Sequence, residues 1–128
     1  MVTASANLQN RNFLGKEGLV YNIYNGNQTG ATVKEVGAQL KVISLNLRKD
    51  NKRVLLLTDL RNIGKVNLSA RIMGVQVIKD LDFDKAAIFG SDFLNEQFVN
   101  HVILASGRGF KIKFFNNEHD AKIWLMAS

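Results

Sequence analysis

The last nineteen residues, FKIKFFNNEHDAKIWLMAS, restrict the fold more than any other stretch of the chain. Residues 110–114 alternate apolar and lysine side chains, which predicts a strand with one buried face. Asn117 follows, three residues before Asp120, and this spacing favours the start of a helix. The apolar residues of that helix recur at helical spacing: Ala121, Trp124 and Leu125. We therefore predict an α/β domain whose last helix packs on its last strand.

The composition describes an ordinary globular domain. A chain of 128 residues can bury its own core, and 46% apolar with 22% charged residues is typical of soluble proteins. No apolar run approaches the roughly 20 residues that span a bilayer, and residues 1–13 lack the pattern of a secretory signal. The absence of cysteine excludes disulfides and thiolate chemistry and fits a reducing compartment. We expect a cytoplasmic protein, with residues 1–17 flexible and residues 18–128 forming one domain.

Strand-like and helix-like patterns alternate through the middle of the chain. Residues 54–60 are apolar almost throughout, as in a central parallel strand that is covered on both faces. Further strands are predicted over residues 18–25 and 83–89. Helices are predicted over residues 32–50, 68–79 and 92–105, before the C-terminal helix. This alternation predicts a mostly parallel sheet of four to five strands with about four helices packed on it.

The first helix has the clearest pattern. Thr32 and Glu35 have the spacing of a capping box, in which each side chain accepts a hydrogen bond from a backbone N–H of the first turn. A single apolar stripe follows at Val33, Val36, Leu40, Ile43 and Leu47. The preceding segment, residues 25–30, is predicted to be a loop.

The second helix and its approach hold more apolar side chains than one buried stripe needs: Ile63, Val66, Leu68, Ile72, Met73, Val75, Val77 and Ile78. A helix that is apolar around much of its circumference is either deeply buried or presents a second face to a partner. We expect that face to contact a second protomer or an apolar ligand, with Met73 and Val77 as candidate contacts.

The net charge of +6 is concentrated in the first half, where residues 1–65 carry ten Lys/Arg and four Asp/Glu. The densest cluster comprises Arg48, Lys49, Lys52 and Arg53. One interpretation is a binding patch for phosphates or anionic lipid. The favoured interpretation is a helix C-terminus, where cations interact favourably with the helix dipole. No aromatic residue is interleaved with the cluster to stack on bases, which disfavours nucleic-acid binding.

Asp59 ends the apolar strand at the carboxyl edge of the predicted sheet, where open α/β sheets place their ligands. Arg61 follows two residues later. Asp59 and Arg61 are therefore candidate ligand contacts, and the favoured alternatives for Asp59 are helix capping or an ion pair with Arg61.

Other segments do not assemble a chemical site. His101 and His119 lack a second histidine or a carboxylate at the spacing of a helical metal pair. Residues 26–32 precede a helix, but Ala31 stands where a nucleotide-binding loop needs lysine. Residues 106–109 follow a helix C-terminus, where the dipole repels anions. We expect no catalytic residue, metal or cofactor.

Three segments, LLLTDLR (55–61), KAAIFG (85–90) and FFNNEHDAKIWL (114–125), together resemble the SpoIIAA-like branch of the STAS superfamily. STAS domains are named for sulfate transporters and anti-sigma-factor antagonists. The resemblance covers residues 18–126 and implies the STAS fold with a binding role rather than an enzymatic one. Some SpoIIAA-like domains are grouped with lipid-binding SEC14-type proteins.

The resemblance also suggests one regulatory residue. In the phosphorylated antagonists, a strand ending in Asp-Leu leads to an Asp-Ser-Ser-Gly motif at a helix N-terminus, where a partner kinase phosphorylates serine. Asp59-Leu60 matches the strand end, and Asn67-Leu68-Ser69-Ala70 falls near the motif. Ser69 is the one candidate phosphosite, although the motif's aspartate, first serine and glycine are absent.

Three functions remain open at this point. The first is a non-enzymatic interaction module that self-associates as a homodimer or binds another protein. The second is a carrier of a small apolar ligand or lipid, which requires a pocket of roughly 300 Å³ or more. The third is nucleic-acid or anion binding through residues 48–53, with the steep salt dependence of such contacts.

Overall fold

The computed structural model describes residues 9–90 and 93–127. Five strands and four α-helices follow one another along this part of the chain. They are β1 (Arg11–Leu14), β2 (Val20–Gln28), α1 (Gly30–Lys49), β3 (Leu55–Val66), α2 (Leu68–Asp80), β4 (Lys85–Phe89), α3 (Phe93–Ser106), a 3-10 turn (Gly109–Lys111), β5 (Ile112–Phe115) and α4 (Glu118–Met126). The predicted start of the third helix, at residues 91–92, lies outside the described residues.

The strands form one sheet in the order β1-β2-β3-β4-β5. The pairs β2–β3, β3–β4 and β4–β5 are parallel, and β1 joins the edge of β2 in the antiparallel direction. The prediction of a mostly parallel sheet with about four helices is therefore confirmed.

Helices cover both faces of the sheet. Side chains alternate along a strand, so Leu56 and Leu60 of β3 point into the layer formed with α1, α2 and α3. Leu55 and Leu57 point the other way and pack with Ala121 of α4. Burial on both faces explains why this strand is apolar almost throughout.

Strand β1 lies within the segment that was predicted to be flexible. Asn12 holds it in place: its Oδ1 accepts a hydrogen bond from Asn22 Nδ2 (2.7 Å), and its Nδ2 donates to Gln39 Oε1 (2.6 Å). The strand was missed because polar contacts with distant residues, rather than alternating apolar side chains, attach it to the sheet.

Strand β3 continues to Val66, although residues 61–67 were predicted to be a connection. The extension pairs with residues 25–28 of β2, which were predicted to be a loop, and two irregularities interrupt the register. The prediction was wrong because residues 25–28 and 61–66 lack the apolar alternation of a half-buried strand. Backbone hydrogen bonds maintain the ladder between them.

The first helix starts earlier than predicted, and Thr29 caps it. Thr32 N–H donates to Thr29 Oγ1 (3.3 Å), and Thr29 N–H donates to Thr32 Oγ1 (2.9 Å), so the capping box joins these two threonines instead of Thr32 and Glu35. The apolar stripe is confirmed by the burial of Val33, Val36, Leu40 and Leu47.

The C-terminal prediction is largely correct. Asn117 caps α4 by accepting a hydrogen bond from Asp120 N–H (2.8 Å), and Trp124 packs against Phe115 with ring centroids 5.6 Å apart. The strand begins only at Ile112, however. Phe110 lies in the 3-10 turn and is 81% exposed, so it does not share the buried strand face.

Candidate functional site

Helices α1 and α2 pack closely side by side. A Cβ atom on Gly37 would lie 2.6 Å from Val77 Cγ2, so the absence of a side chain at Gly37 permits this approach. Beside the contact runs a groove of about 330 Å³, which we call the α1–α2 groove. Its lining residues include Lys34, Ala38, Lys41, Met73, Gln76, Val77 and Asp80.

The outward face of α2 carries an apolar ridge. Leu68 is 70% exposed and Ile72 is 63% exposed, and Val75 continues the row at helical spacing with partial exposure. Ala70 is the one residue of α2 that is fully buried. The helix therefore has two apolar faces, and we call Leu68, Ile72 and Val75 the α2 ridge.

The two predicted partner contacts lie in the groove rather than on the ridge. Met73 and Val77 are half-buried, and Val77 packs directly against α1 at Gly37. Gln76 lies between the α2 ridge and the α1–α2 groove on the helix surface. The ridge and the α2 wall of the groove therefore form one continuous side of the helix.

The two walls of the groove carry opposite charges. Lys34 and Lys41 project from α1, whereas Asp80 lies on α2 and accepts hydrogen bonds from Gln76 Nε2 at 2.9 and 3.0 Å. The groove therefore has an apolar floor between a cationic wall on α1 and an anionic wall on α2.

Asp59 and Arg61 form the predicted ion pair on the opposite face of the sheet. Arg61 binds both carboxylate oxygens of Asp59, with Nη2–Oδ2 at 2.8 Å and Nε–Oδ1 at 3.1 Å. Its guanidinium lies 5.0 Å from the ring centroid of Phe89 and 3.5 Å from Glu118 Oε1 of α4. The hydrogen bond with Asp59 raises the pKa of Arg61. This pair joins β3 to α4, and the structure does not bring it together with Met73 and Val77.

Ser69 connects the first turns of two helices. Its Oγ accepts a hydrogen bond from Gly30 N–H (2.8 Å) at the start of α1 and donates to Asn67 Oδ1 (2.9 Å), the N-cap of α2. The residue is exposed, and its phosphorylation stays a prediction. The contact also occupies an amide of the 26–32 segment that was considered for anion binding.

Arg48 forms ion pairs with two aspartates of the same chain, so this cation of the basic cluster is already neutralised. Its guanidinium contacts Asp82 (3.0 Å) and Asp84 (2.8 Å), and Asp84 also accepts a hydrogen bond from Val54 N–H (2.8 Å). The hydrogen bond from Arg48 lowers the pKa of Asp82. Burial alone would raise the pKa of Asp84, but Arg48 and the Val54 amide outweigh it and lower that pKa.

A second concave feature lies inside the domain. An apolar cavity of about 110 Å³ separates the inner side of α2 from the sheet, and α1 and α3 complete its walls. Asn22, Tyr24 and Thr58 contribute polar groups at its sheet side. Burial raises the pKa of Tyr24 above its ordinary value, so its hydroxyl stays neutral. Sequence reasoning missed this site, although the polar Asn22 between Val20 and Tyr24 on an apolar strand face is a detectable signal.

Both histidines lie on the surface. His101 on α3 and His119 on α4 are exposed. Among the side chains that the structure describes, no three from His, Asp or Glu come together in a group that could hold a metal ion.

A five-stranded, mostly parallel sheet with three helices on one face and one on the other defines an α/β domain of STAS architecture. The model of the SpoIIAA-like family matches residues 20–126, and the chain belongs to this family. The crystal structure of an uncharacterized protein from Shewanella loihica PV-4 with a SpoIIAA-like fold is similar, with a TM-score of 0.62 and 18% identity over 91% of each chain. At that identity the likeness concerns the fold alone. No curated protein matches the chain.

None of the helices in the described part of the chain is long and apolar enough to cross a membrane.

Proposed function

We propose that this domain is a non-enzymatic, cytoplasmic interaction module that self-associates through the outer side of α2. The observation that carries the proposal is the α2 ridge, where Leu68 and Ile72 are 70% and 63% exposed one turn apart. Adjacent exposed apolar side chains on a helix mark contact surfaces, because leaving them in water forgoes the free energy of burial.

The α1–α2 groove favours a second copy as the partner. A two-fold axis brings the same patch of both protomers together, so that residue i contacts j while j contacts i. The lysines at positions 34 and 41 on one copy could then face Asp80 on the other, with the ridges packed between them. A stable dimer of this kind needs to bury about 1,000 Å² or more in total.

Ile72→Lys tests the proposed dimer. The substitution places a charge in the centre of the apolar contact, where desolvation opposes burial. We expect the dimer dissociation constant to rise at least about tenfold, which corresponds to roughly 1.4 kcal/mol. Sedimentation equilibrium over a range of protein concentrations measures the shift, and Met73→Lys should act in the same direction.

Val42→Lys is the matched control, because Val42 is 59% exposed on α1 and does not line the groove. This variant should dimerise like the unmodified chain. A strictly monomeric unmodified chain at the highest soluble concentration, or equal dimerisation by the Ile72 and control variants, contradicts the proposal.

The other two functions receive less support. A carrier of a small apolar ligand or lipid needs a pocket of roughly 300 Å³ or more between a helix and the sheet, whereas the cavity at that place measures about 110 Å³. The larger α1–α2 groove lies between two helices. Nucleic-acid binding through residues 48–53 is weakened because Arg48 is already paired with Asp82 and Asp84.

Ser69 is proposed as the regulatory residue of this surface, since it lies in the first turn of α2, directly after Leu68 of the ridge. A phosphate on its Oγ would remove the hydrogen bond that the hydroxyl donates to Asn67 Oδ1 and would place a strong negative charge between the first turns of α1 and α2. We expect mass spectrometry of the protein from its native cells to find a phosphoryl group on the tryptic peptide containing Ser69. Its absence across growth phases and stress conditions argues against this role.

A further inference from the structure

A polar depression of about 210 Å³ lies at the carboxyl end of β2, where the residues before β1 meet the first turns of α1. We call it the amide pocket. It shares no residue with the α1–α2 groove, and the α1 residues that line the two features lie on opposite sides of the helix. The amide pocket is lined by Gln9, Asn10, Asn25, Asn27, Gln28, Thr32, Glu35, Val36 and Gln39.

Neutral hydrogen-bonding side chains dominate this lining. Six of the nine lining residues are Asn or Gln, whose amides both donate and accept hydrogen bonds. The described residues that line the pocket include no Lys or Arg and no aromatic residue. A phosphate or carboxylate would therefore lose its hydration without gaining a counter-ion, and a nucleobase would find no ring to stack on.

The inner wall of the pocket is ordered by hydrogen bonds among its own side chains. Gln28 Oε1 accepts from Asn10 Nδ2 (2.9 Å) and from Thr32 Oγ1 (2.9 Å), while Gln28 Nε2 donates to Asn10 Oδ1 (3.0 Å). Asn10 Oδ1 also accepts from Asn25 N–H (2.8 Å). A ligand therefore meets a wall that is already held in place, which reduces the entropy lost on binding.

A directed series of hydrogen bonds orients the α1 wall. Asn22 Nδ2 donates to Asn12 Oδ1 (2.7 Å), and Asn12 Nδ2 donates to Gln39 Oε1 (2.6 Å). Because its oxygen is used in this way, Gln39 directs its Nε2 toward Glu35 Oε1 at 3.5 Å. That last contact is long for a hydrogen bond, so the Gln39 NH₂ group and the Glu35 carboxylate can both bind a ligand.

Two asparagines at the end of β2 add further polar groups. Asn25 Nδ2 donates to the Gln9 carbonyl (2.9 Å), so its Oδ1 remains to accept a hydrogen bond. Asn27 Oδ1 accepts from Lys65 N–H (2.8 Å), so its Nδ2 remains to donate one. Together with the pair on α1, these groups give the pocket both donors and acceptors.

We infer that the amide pocket binds a monosaccharide, with neighbouring hydroxyls of the sugar ring on the Glu35 carboxylate and the Gln39 amide. A hydroxyl donates one hydrogen bond and accepts others, which matches a lining that mixes donors and acceptors. An engineered cavity of about 150 Å³ holds benzene, so about 210 Å³ accommodates one six-membered ring with its hydroxyl groups. The Glu35 carboxylate favours neutral sugars over acidic ones, because it accepts hydrogen bonds and repels like charge.

Titration of the full chain with glucose, galactose and mannose tests this inference. Two-dimensional ¹H–¹⁵N NMR resolves side-chain NH₂ groups, and at least one of the three sugars should cause saturable, millimolar shifts of the Asn27 and Gln39 NH₂ signals. Glucuronate, the acidic analogue of glucose, should bind more weakly. The inference is wrong if none of the three sugars moves these signals, or if glucuronate binds as tightly as the best neutral sugar.

Variants at Glu35 locate the binding, since this residue is exposed on α1 and its replacement should leave the fold intact. Glu35→Ala should raise the dissociation constant of the sugar at least about tenfold through loss of a charged acceptor. Glu35→Gln should reduce the discrimination against glucuronate, which a merely structural role would not change. Asn46→Ala removes an exposed amide of α1 outside the pocket and should bind like the unmodified chain.

Unchanged sugar binding by Glu35→Ala would overturn the inference. If that variant does not fold, Gln39→Ala decides: it should weaken binding about fivefold through the lost amide, and equal binding would again contradict the assigned contact. Sedimentation of the same samples reports the dimer separately, so failure of the sugar site is distinguishable from failure of the proposed interface.

Discussion

Replacing Gln28 by alanine is expected to destabilise the domain by about 3 kcal/mol and to lower the melting temperature by roughly 10 °C. Gln28 is 2% exposed. Its Nε2 donates to Asn10 Oδ1 (3.0 Å) and to the Asn25 carbonyl (3.1 Å), and its Oε1 accepts from Asn10 (2.9 Å) and Thr32 (2.9 Å). Alanine removes these hydrogen bonds from partners that are half-buried, and each group left unsatisfied costs about 1–3 kcal/mol.

Urea denaturation measures the loss, and hydrogen exchange shows where it acts. The amides of β1 should lose protection first, because Gln28 connects the residues before that strand to the end of β2 and the start of α1. Gln39→Ala removes an exposed amide that accepts a hydrogen bond from Asn12, and it should change stability by less than about 0.5 kcal/mol. If Gln28→Ala and Gln39→Ala lose equal free energy of unfolding, burial of the Gln28 amide is not the source of the stability.

Arg48→Met is expected to lower stability by about 1–2 kcal/mol at neutral pH, since the ion pairs are partly exposed and screened by solvent. The effect should depend on pH, because Arg48 lowers the pKa of both Asp82 and Asp84 in the folded state. A lowered folded-state pKa contributes stability above the ordinary carboxyl value of 3.8. That contribution disappears as the pH falls through the folded-state values.

Urea unfolding at pH 7 and at pH 3 measures this difference. The gap between the unmodified chain and Arg48→Met should be smaller at the lower pH. Lys49→Met removes the neighbouring exposed cation and serves as the control, with an effect of about 0.5 kcal/mol or less from the helix dipole. A gap that stays constant between the two pH values would mean that Arg48 acts through packing of its aliphatic stem.

Local periodicity explains the parts of the fold that were predictable. The stripe from Val33 to Leu47 and the apolar run of β3 each encode their burial within a few neighbouring residues. The cap at Asn117 is likewise local, because its partner is three residues away. Together with the order of the elements, these patterns were sufficient to predict a mostly parallel sheet, and the family followed from the resemblance of residues 55–61, 85–90 and 114–125 to SpoIIAA-like domains.

Non-local contacts explain the parts that were missed. Only half of the residues in β1 and in residues 61–66 of β3 are polar, but neither segment alternates clearly, and their places in the sheet depend on pairing with β2. Arg48 likewise belongs to a local basic cluster in the sequence, but in the fold it meets Asp82 and Asp84. The residues next to Arg48 in the sequence do not indicate which distant residues it contacts in the fold.

The sequence by itself determined that α2 has more apolar surface than its own burial requires. Only the tertiary structure decided which residues supply the excess: Leu68 and Ile72 face water, while Met73 and Val77 turn toward α1. The physical reason is that packing against Gly37 sets the rotation of the helix about its axis, and composition leaves that rotation undetermined.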